Sequence, residues 1–322
     1  MTQAKRVSVV VPTRDRPELL REALQSIRAL ERDELRFEII VGDNGTSPDT
    51  RQVVEEFDAI YLHTSKSGAA AARNIAMRAA TADYIAFLDD DDVWTSNHIH
   101  GHLALLAANP HLDMVLGQIT NTDPRRRPTF GPWPDQLPDG RNELLKFMMS
   151  GYFPQIGATV VRARVRETVG FFNEDFIGGQ DWDWQLRIAR QHGVGFVRQP
   201  CVLFAQRETG TYDSLQLRRA KFTRRIFLKN AIPEWRVWAS PIAFARSYFE
   251  VTDHYFFYFT ETALDHANKG ERWLAICAIW RAFTMFPSRA LRKLFSDSSL
   301  RDALLVTLGG ARADRSSGLR SK

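Results

Sequence analysis

Apolar runs that alternate with polar loops and helix-period segments constrain this chain more than any other feature. Val7-Ser8-Val9-Val10-Val11 is a β-branched run stopped by Pro12, and Leu19, Leu20, Ala23, Leu24 and Ile27 beyond it share one helical face. Asp15 and Glu18, three residues apart, suit a capping box at the start of that helix. Strands are expected at 37–41, 59–63 and 84–88, helices at 48–57, 68–80 and about 95–108, and a further apolar segment at 112–119. Repeated βα units imply an α/β fold with a mostly parallel sheet and helices on both faces. Ligands of such sheets bind beyond the carboxyl ends of the strands. Here those ends carry the polar loops 13–15, 43–45 and 89–92, which together define one candidate site.

The stretch 123–140 is rich in Pro, Arg and Gly without hydrophobic period, so a long surface loop or flap is expected. A helix near 143–149, a strand at 158–162 and a helix opened by Gly178-Gly179-Gln180-Asp181-Trp182-Asp183-Trp184 follow. Past about residue 222 the pattern is helical and aromatic. The expected organisation is therefore a catalytic-type domain over 1–230 and a helical extension over 231–322, polar after about 310.

The charge balance, 43 Lys and Arg against 38 Asp and Glu, admits anionic ligands without selecting one. Only Cys201 and Cys277 occur, and neither has a neighbouring Cys or paired His in sequence, so no zinc clip or redox pair is expected and a reducing compartment fits. The apolar run at 7–11 is too short for a signal-peptide core, and no stretch reaches the ~20 residues needed to cross a bilayer. A cytoplasmic protein, held if anywhere at the inner face of the membrane, is expected.

Asp89-Asp90-Asp91-Asp92 is the most informative string. Four adjacent carboxylates repel one another, and a cation would offset them; oxygen-only ligands favour Mg²⁺ or Mn²⁺, which also bind nucleotide phosphates. A solvated turn capping the next helix is the plainer alternative. Asp43 sits in the turn-forming Val41-Gly42-Asp43-Asn44-Gly45, where it suits either an Asx turn or a hydrogen bond to a base or ribose. Gly68 to Asn74 starts a helix of small residues with one cation, Arg73, which can reach a nucleotide or simply face solvent. Asp181, flanked by Gln180 and Trp182, suits a general base beside stacking rings, or a helix-start charge, as does Asp183.

In their order, Val10 to Arg16, Val41 to Gly45, Gly68 to Asn74, Phe87 to Trp94, and Gly170-Phe171-Phe172 followed by Gln180 to Asp183, these motifs resemble family 2 glycosyltransferases with the GT-A fold, over residues about 5–220. The resemblance implies a Rossmann-like sheet, a nucleoside-diphosphate-sugar donor with a UDP-sugar foremost, an Mn²⁺ or Mg²⁺ cofactor, and inversion at the anomeric carbon. It implies donor contacts from Pro12, Thr13, Arg14, Asp43, Gly68, Arg73, Asp89 and Asp90, with Asp90 close to the ribose or sugar. Metal ligation falls to Asp91 and Asp89, and the base to Asp181. Gln180 stands where the family usually has Glu, and Arg207-Glu208-Thr209 stands where it often has Arg-x-His, so Trp182 and Arg207 are the expected acceptor or phosphate contacts.

The implied reaction transfers a sugar to a hydroxyl of a glycan or lipid-linked acceptor, in the manner of cell-surface polysaccharide or glycolipid biosynthesis, with no role for nucleic acid. The rival of a different class is a non-catalytic nucleotide-sugar-binding or assembly module of the same fold. A dinucleotide-binding oxidoreductase would need a glycine fingerprint where Pro12-Thr13-Arg14-Asp15 stands. The C-terminal helices suit a lid, a homodimer interface or a peripheral membrane contact.

Overall fold

The computed structural model describes residues 4–205, 213–296 and 298–309. Strand β1 (Lys5–Thr13) leads to α1 (Pro17–Arg28), β2 (Leu35–Asp43) to α2 (Asp49–Glu56), and β3 (Ile60–His63) to α3 (Ala69–Ala79) and β4 (Tyr84–Phe87). Then come β5 (Val93–Trp94), α4 (His100–Ala108), β6 (Leu112–Thr122), β7 (Pro128–Trp133), α5 (Arg141–Met149), β8 (Thr159–Arg162), α6 (Val165–Thr168), α7 (Gln180–Gln191), β9 (Gly193–Ala205) and α8 (Asp213–Ala231). Helices α9 (Pro241–Asn268), α10 (Arg272–Met285), α11 (Pro287–Leu294) and α12 (Ser299–Thr307) follow.

The strands lie in the order β3-β2-β1-β4-β8-β6-β9-β5, with β7 paired to β6. The first four are parallel, as the βα repeats require. Beyond β4 the sheet is mixed, because β8 enters antiparallel between β4 and β6. Strand β1 is buried from Val7 to Thr13, which explains its continuous β-branched run. Its register places Thr13 opposite Asp43, and Val10 opposite Phe87, so the ends of β1, β2 and β4 share one edge of the sheet.

Local differences from the sequence expectation have local causes. Helix α1 carries no side-chain cap. Asp15 instead lies at φ +54° and its Oδ1 accepts the Thr46 and Ser47 N–H groups at 2.6 and 2.8 Å, which ties the first strand-end loop to the second. Helix α4 starts at His100 rather than near 95, because Val93 and Trp94 pair with β9 and the Thr95 N–H donates to the Cys201 carbonyl. The expected flap contains β7, which pairs with the far half of β6 and keeps its prolines on an exposed edge.

Among the described residues the chain divides into two compact units, one ending at 248 and the other beginning at 249. Phe227 of α8 packs on Trp238, Phe244 and Tyr248 with ring centroids 5.3–6.0 Å apart, so the turn after α8 and the first part of α9 stay with the sheet-containing unit. In the second unit Phe256 meets Phe286 edge-on, and the Arg289 guanidinium lies over both Phe256 and Phe257. Trp273, Ile276 and Trp280 of α10 form an exposed stripe. Among the described residues no helix is long and apolar enough to cross a membrane.

Close approach of α3 to the sheet depends on Gly42. A Cβ there would lie 2.0 Å from the Ala72 carbonyl oxygen, a backbone atom that moves only if the whole helix moves. Gly42→Ala is expected to destabilise by about 2 kcal/mol or more. An unchanged urea midpoint for the full chain would show that α3 yields freely.

Candidate active site

The acidic string leaves β4 in a turn closed by the Asp92 N–H donating to the Asp89 carbonyl, and its four side chains then diverge. Asp90 turns inward. It is 1% exposed, its Oδ2 accepts the Thr13 hydroxyl at 2.8 Å, and its Oδ1 meets Arg16 Nη2 at 2.5 Å. Arg16 also reaches Asp91 Oδ2, at 3.0 Å through Nη1. Asp92 accepts the Ala205 N–H at 2.9 Å, and the Asp91 carbonyl accepts Arg126 Nη1 at 2.6 Å. Burial pushes the Asp90 carboxyl up to about 6 against the pull of Arg16 and Thr13. Burial, with like charge from Asp89 and Asp91, raises Asp92 well above the carboxylate range.

Asp89, Asp91 and Asp92 each offer a carboxylate oxygen, all within 4.8 Å of one another. Three hard oxygen donors with a surplus of negative charge fit Mg²⁺ or Mn²⁺, and a cation there would restore the ionised form that burial opposes. Asp92 thus joins the two expected ligands. Asp90 has both oxygens engaged below the surface, by Thr13 and Arg16, where it holds the first strand-end loop.

The other strand ends are more enclosed than expected. Asp43 is fully buried, its Oδ1 accepting the Gly45 N–H at 2.7 Å in an Asx turn and its Oδ2 accepting the Tyr61 hydroxyl at 2.9 Å. It is not the exposed carboxylate that a base contact was expected to need. Burial, then Asp43, pushes the Tyr61 hydroxyl up to about 12, so Tyr61 stays a donor. Pro12 and Thr13 are buried, whereas Arg14 is exposed at the mouth of the loop. Gly68, exposed at φ +110°, precedes α3.

Arg73 on α3 is 2% exposed, and its Nη2 contacts Asp89 Oδ1 at 2.5 Å. Its Nε and Nη1 are buried without a hydrogen-bond partner. Burial works against this cation, but Asp89, then Asp181 and Asp91, outweigh it and hold the guanidinium above the ordinary arginine value. One buried arginine therefore feels both the acidic turn and the head of α7. The adjacent Asn74 clamps α3 to the loop before α7, exchanging hydrogen bonds with both backbone groups of Phe172.

On α7 the two aspartates separate cleanly. Asp183 is fully buried and accepts from Lys229 at 2.8 Å, Arg187 at 3.0 Å and Asn230 at 3.1 Å, which locks α7 to α8. Asp181, half-buried, accepts only the adjacent Trp182 N–H, at 2.9 Å, among the described residues. Gln180 is taken up by the Gly178 N–H. Trp182 cannot stack on an acceptor: it is 1% exposed, its Nε1 donates to the Met148 carbonyl and its ring meets Phe153, so it belongs to the core. Arg207 lies outside the described residues.

Arg16, Arg126 and Tyr61 were not singled out from sequence. Four carboxylates in a row signal that cations must converge on them, yet nothing in the string says which arginine does so.

A family model described as "Glycosyl transferase family 2" matches residues 8–157. An uncharacterized glycosyltransferase of Bacillus subtilis, YwdF, is 27% identical over 236 residues, covering 71% of this chain and 85% of the relative. The Escherichia coli UDP-Glc:alpha-D-GlcNAc-diphosphoundecaprenol beta-1,3-glucosyltransferase WfgD is 33% identical over 107 residues, 32% of this chain and 42% of the relative. The chain spans only 31% of an uncharacterized Rickettsia felis glycosyltransferase to which it is 26% identical. Among solved structures, S. aureus TarS 1–349 in complex with UDP-GlcNAc shares the fold, with a TM-score of 0.60 at 16% identity over 94% of this chain and 88% of that one.

The division of labour on α7 is open to test. Asp183→Asn is expected to cost about 2–4 kcal/mol, the lower end because Lys229 can turn to water. Asp181→Asn should leave the unfolding midpoint unchanged within error, and equal losses from both would contradict the assignment.

Proposed function

We propose, for a chain that belongs to glycosyl transferase family 2, that it moves a sugar from a nucleoside-diphosphate sugar to an acceptor hydroxyl with inversion at the anomeric carbon. The observation that carries this reading is the cluster of Asp89, Asp91 and Asp92, whose carboxylate oxygens lie within 4.8 Å of one another, beside the buried Arg73 that contacts Asp89 at 2.5 Å. Asp181, at the head of α7, is a carboxylate with unspent acceptor capacity. Asp181 is the group we assign as base: it takes the acceptor hydroxyl proton as the new glycosidic bond forms and the bond to the diphosphate breaks. Asp89, Asp91 and Asp92 are assigned to hold Mn²⁺ or Mg²⁺, which when bound supplies charge neutralisation for the leaving diphosphate. Arg73, with two N–H-bearing nitrogens unpartnered, is assigned to the donor side of the same cleft. Asp43 and Asp90 then act from behind, fixing the strand-end loops on which the donor rests.

The name of the E. coli relative carries a UDP-glucose donor and a lipid-diphosphate acceptor, and the S. aureus structure holds UDP-GlcNAc. UDP-sugars are accordingly the first donors to test, with a lipid-linked saccharide as acceptor. An acceptor of that kind puts the enzyme at the inner face of the membrane, and the exposed stripe Trp273, Ile276 and Trp280 is the surface we assign to that contact.

Release of nucleoside diphosphate from a donor panel checks the reaction. We expect release that EDTA abolishes and Mn²⁺ or Mg²⁺ restores, loss of activity in Asp91→Asn, and a fall in kcat on the order of 10²-fold or more in Asp181→Asn with donor affinity retained. Undiminished turnover in EDTA would remove the metal from the account; a parallel loss of donor affinity in Asp181→Asn would make that residue structural. Flotation with anionic liposomes is expected for the full chain and should be lost in Trp273→Ser/Trp280→Ser. Equal flotation of both proteins would sink the membrane assignment.

A further inference from the structure

A second cluster of ligating side chains lies where α4 packs on β6 and β9. His98, His102 and Cys201 are all fully buried, and each brings a ligand atom within 4.8 Å of the other two. Sequence gave no hint of this, since Cys201 has no neighbouring histidine along the chain; the sheet brings the three together. His98 has no hydrogen-bond partner on either ring nitrogen. Its ring lies against Trp94, 4.2 Å between centroids, and meets His102 edge-on at 4.8 Å. His102 Nε2 stands 3.2 Å from the Ala158 carbonyl oxygen, which can only accept, so Nε2 carries the proton and the unpartnered Nδ1 keeps its lone pair. That is the arrangement by which a backbone carbonyl fixes the tautomer of a metal-bound histidine.

Gly117 on β6 faces the same space. A Cβ there would stand 2.6 Å from Cys201 Sγ and 3.0 Å from His102 Cε1 and Nε2, so only glycine leaves the cluster room. Burying imidazole nitrogens without partners is costly, and packing alone gives no reason to keep them.

We propose that His98, His102 and Cys201 form a structural Zn²⁺ site that pins the segment before α4 to β9. A thiolate with two imidazoles is a borderline-soft donor set that selects Zn²⁺ over the hard ions suited to the aspartate cluster. The three side chains fill three positions of a tetrahedral site, and a water completes the fourth. The ion displaces the thiol proton to solvent as the Zn–S bond forms, and no electron is exchanged.

The test uses the full chain purified from zinc-supplemented cultures and passed over nitrilotriacetate, which strips ions held weakly by carboxylates. Metal analysis should find about one zinc per chain, retained in Asp91→Asn and reduced to roughly a tenth or less in Cys201→Ser and His98→Gln. The chain produced with Co²⁺ in place of zinc should show thiolate-to-cobalt charge-transfer absorption and the intense d–d bands of a tetrahedral site. That spectrum decides the matter even if the variants fail to fold. Wild-type chain holding less than about a tenth of an equivalent of zinc, copper in its place, or a Co²⁺ form without the thiolate band would overturn the proposal.

Discussion

Placing four consecutive carboxylates at the end of a buried strand is the constraint on which the rest of the site depends. Three of the four aspartates are almost fully enclosed, and burial disfavours the charged form of each. The fold answers with arginines from three separate elements: Arg16 from the loop after β1, Arg73 from α3 and Arg126 from the segment before β7. These cations also fasten the loops to one another. Removing Arg16 would leave the buried Asp90 carboxylate without its cation rather than simply delete a contact.

The same economy of parts recurs at the neighbouring strand ends. Asp15 holds the second loop by its backbone, and Gly45 has to be glycine because a Cβ would meet Asp15 Oδ1 at 2.5 Å. Asp43 and Tyr61 hold the third. What remains turned outward from this set is Asp89, partly exposed, and Asp181 on its own helix. The chemistry we assign to them therefore rests on a frame whose polar groups, Nε and Nη1 of Arg73 apart, are already satisfied, and such a frame can hold reacting groups without reorganising.

Much of the fold was legible because its signals are local. β-Branched runs, helical faces and strand-end loops gave the parallel half of the sheet, and the acidic string pointed to the carboxylate cluster. Non-local facts were hidden. Nothing in Asp181-Trp182-Asp183 says that Trp182 enters the core and that Lys229, Arg187 and Asn230 claim Asp183, because helical phase relative to α5 and α8 decides both. Likewise β7 was obscured by its prolines, which an edge strand tolerates, and the pairing of Cys201 with His98 and His102 depends on sheet order rather than spacing. Asp90 looked like its neighbours until the register of β1 against β4 placed Thr13 beside it.

In the function we propose, Asp89, Asp91 and Asp92 hold the cation that a nucleotide needs, while Asp90 supports the loop. A crystal structure of the full chain with UDP and Mn²⁺ tests it most directly through the anomalous signal of manganese. A manganese peak is expected against Asp91 and at least one of Asp89 and Asp92, shared with the diphosphate, with Asp90 still bound to Thr13 and Arg16. Manganese held by Asp90, or UDP bound beside an acidic turn that carries no metal, would contradict it.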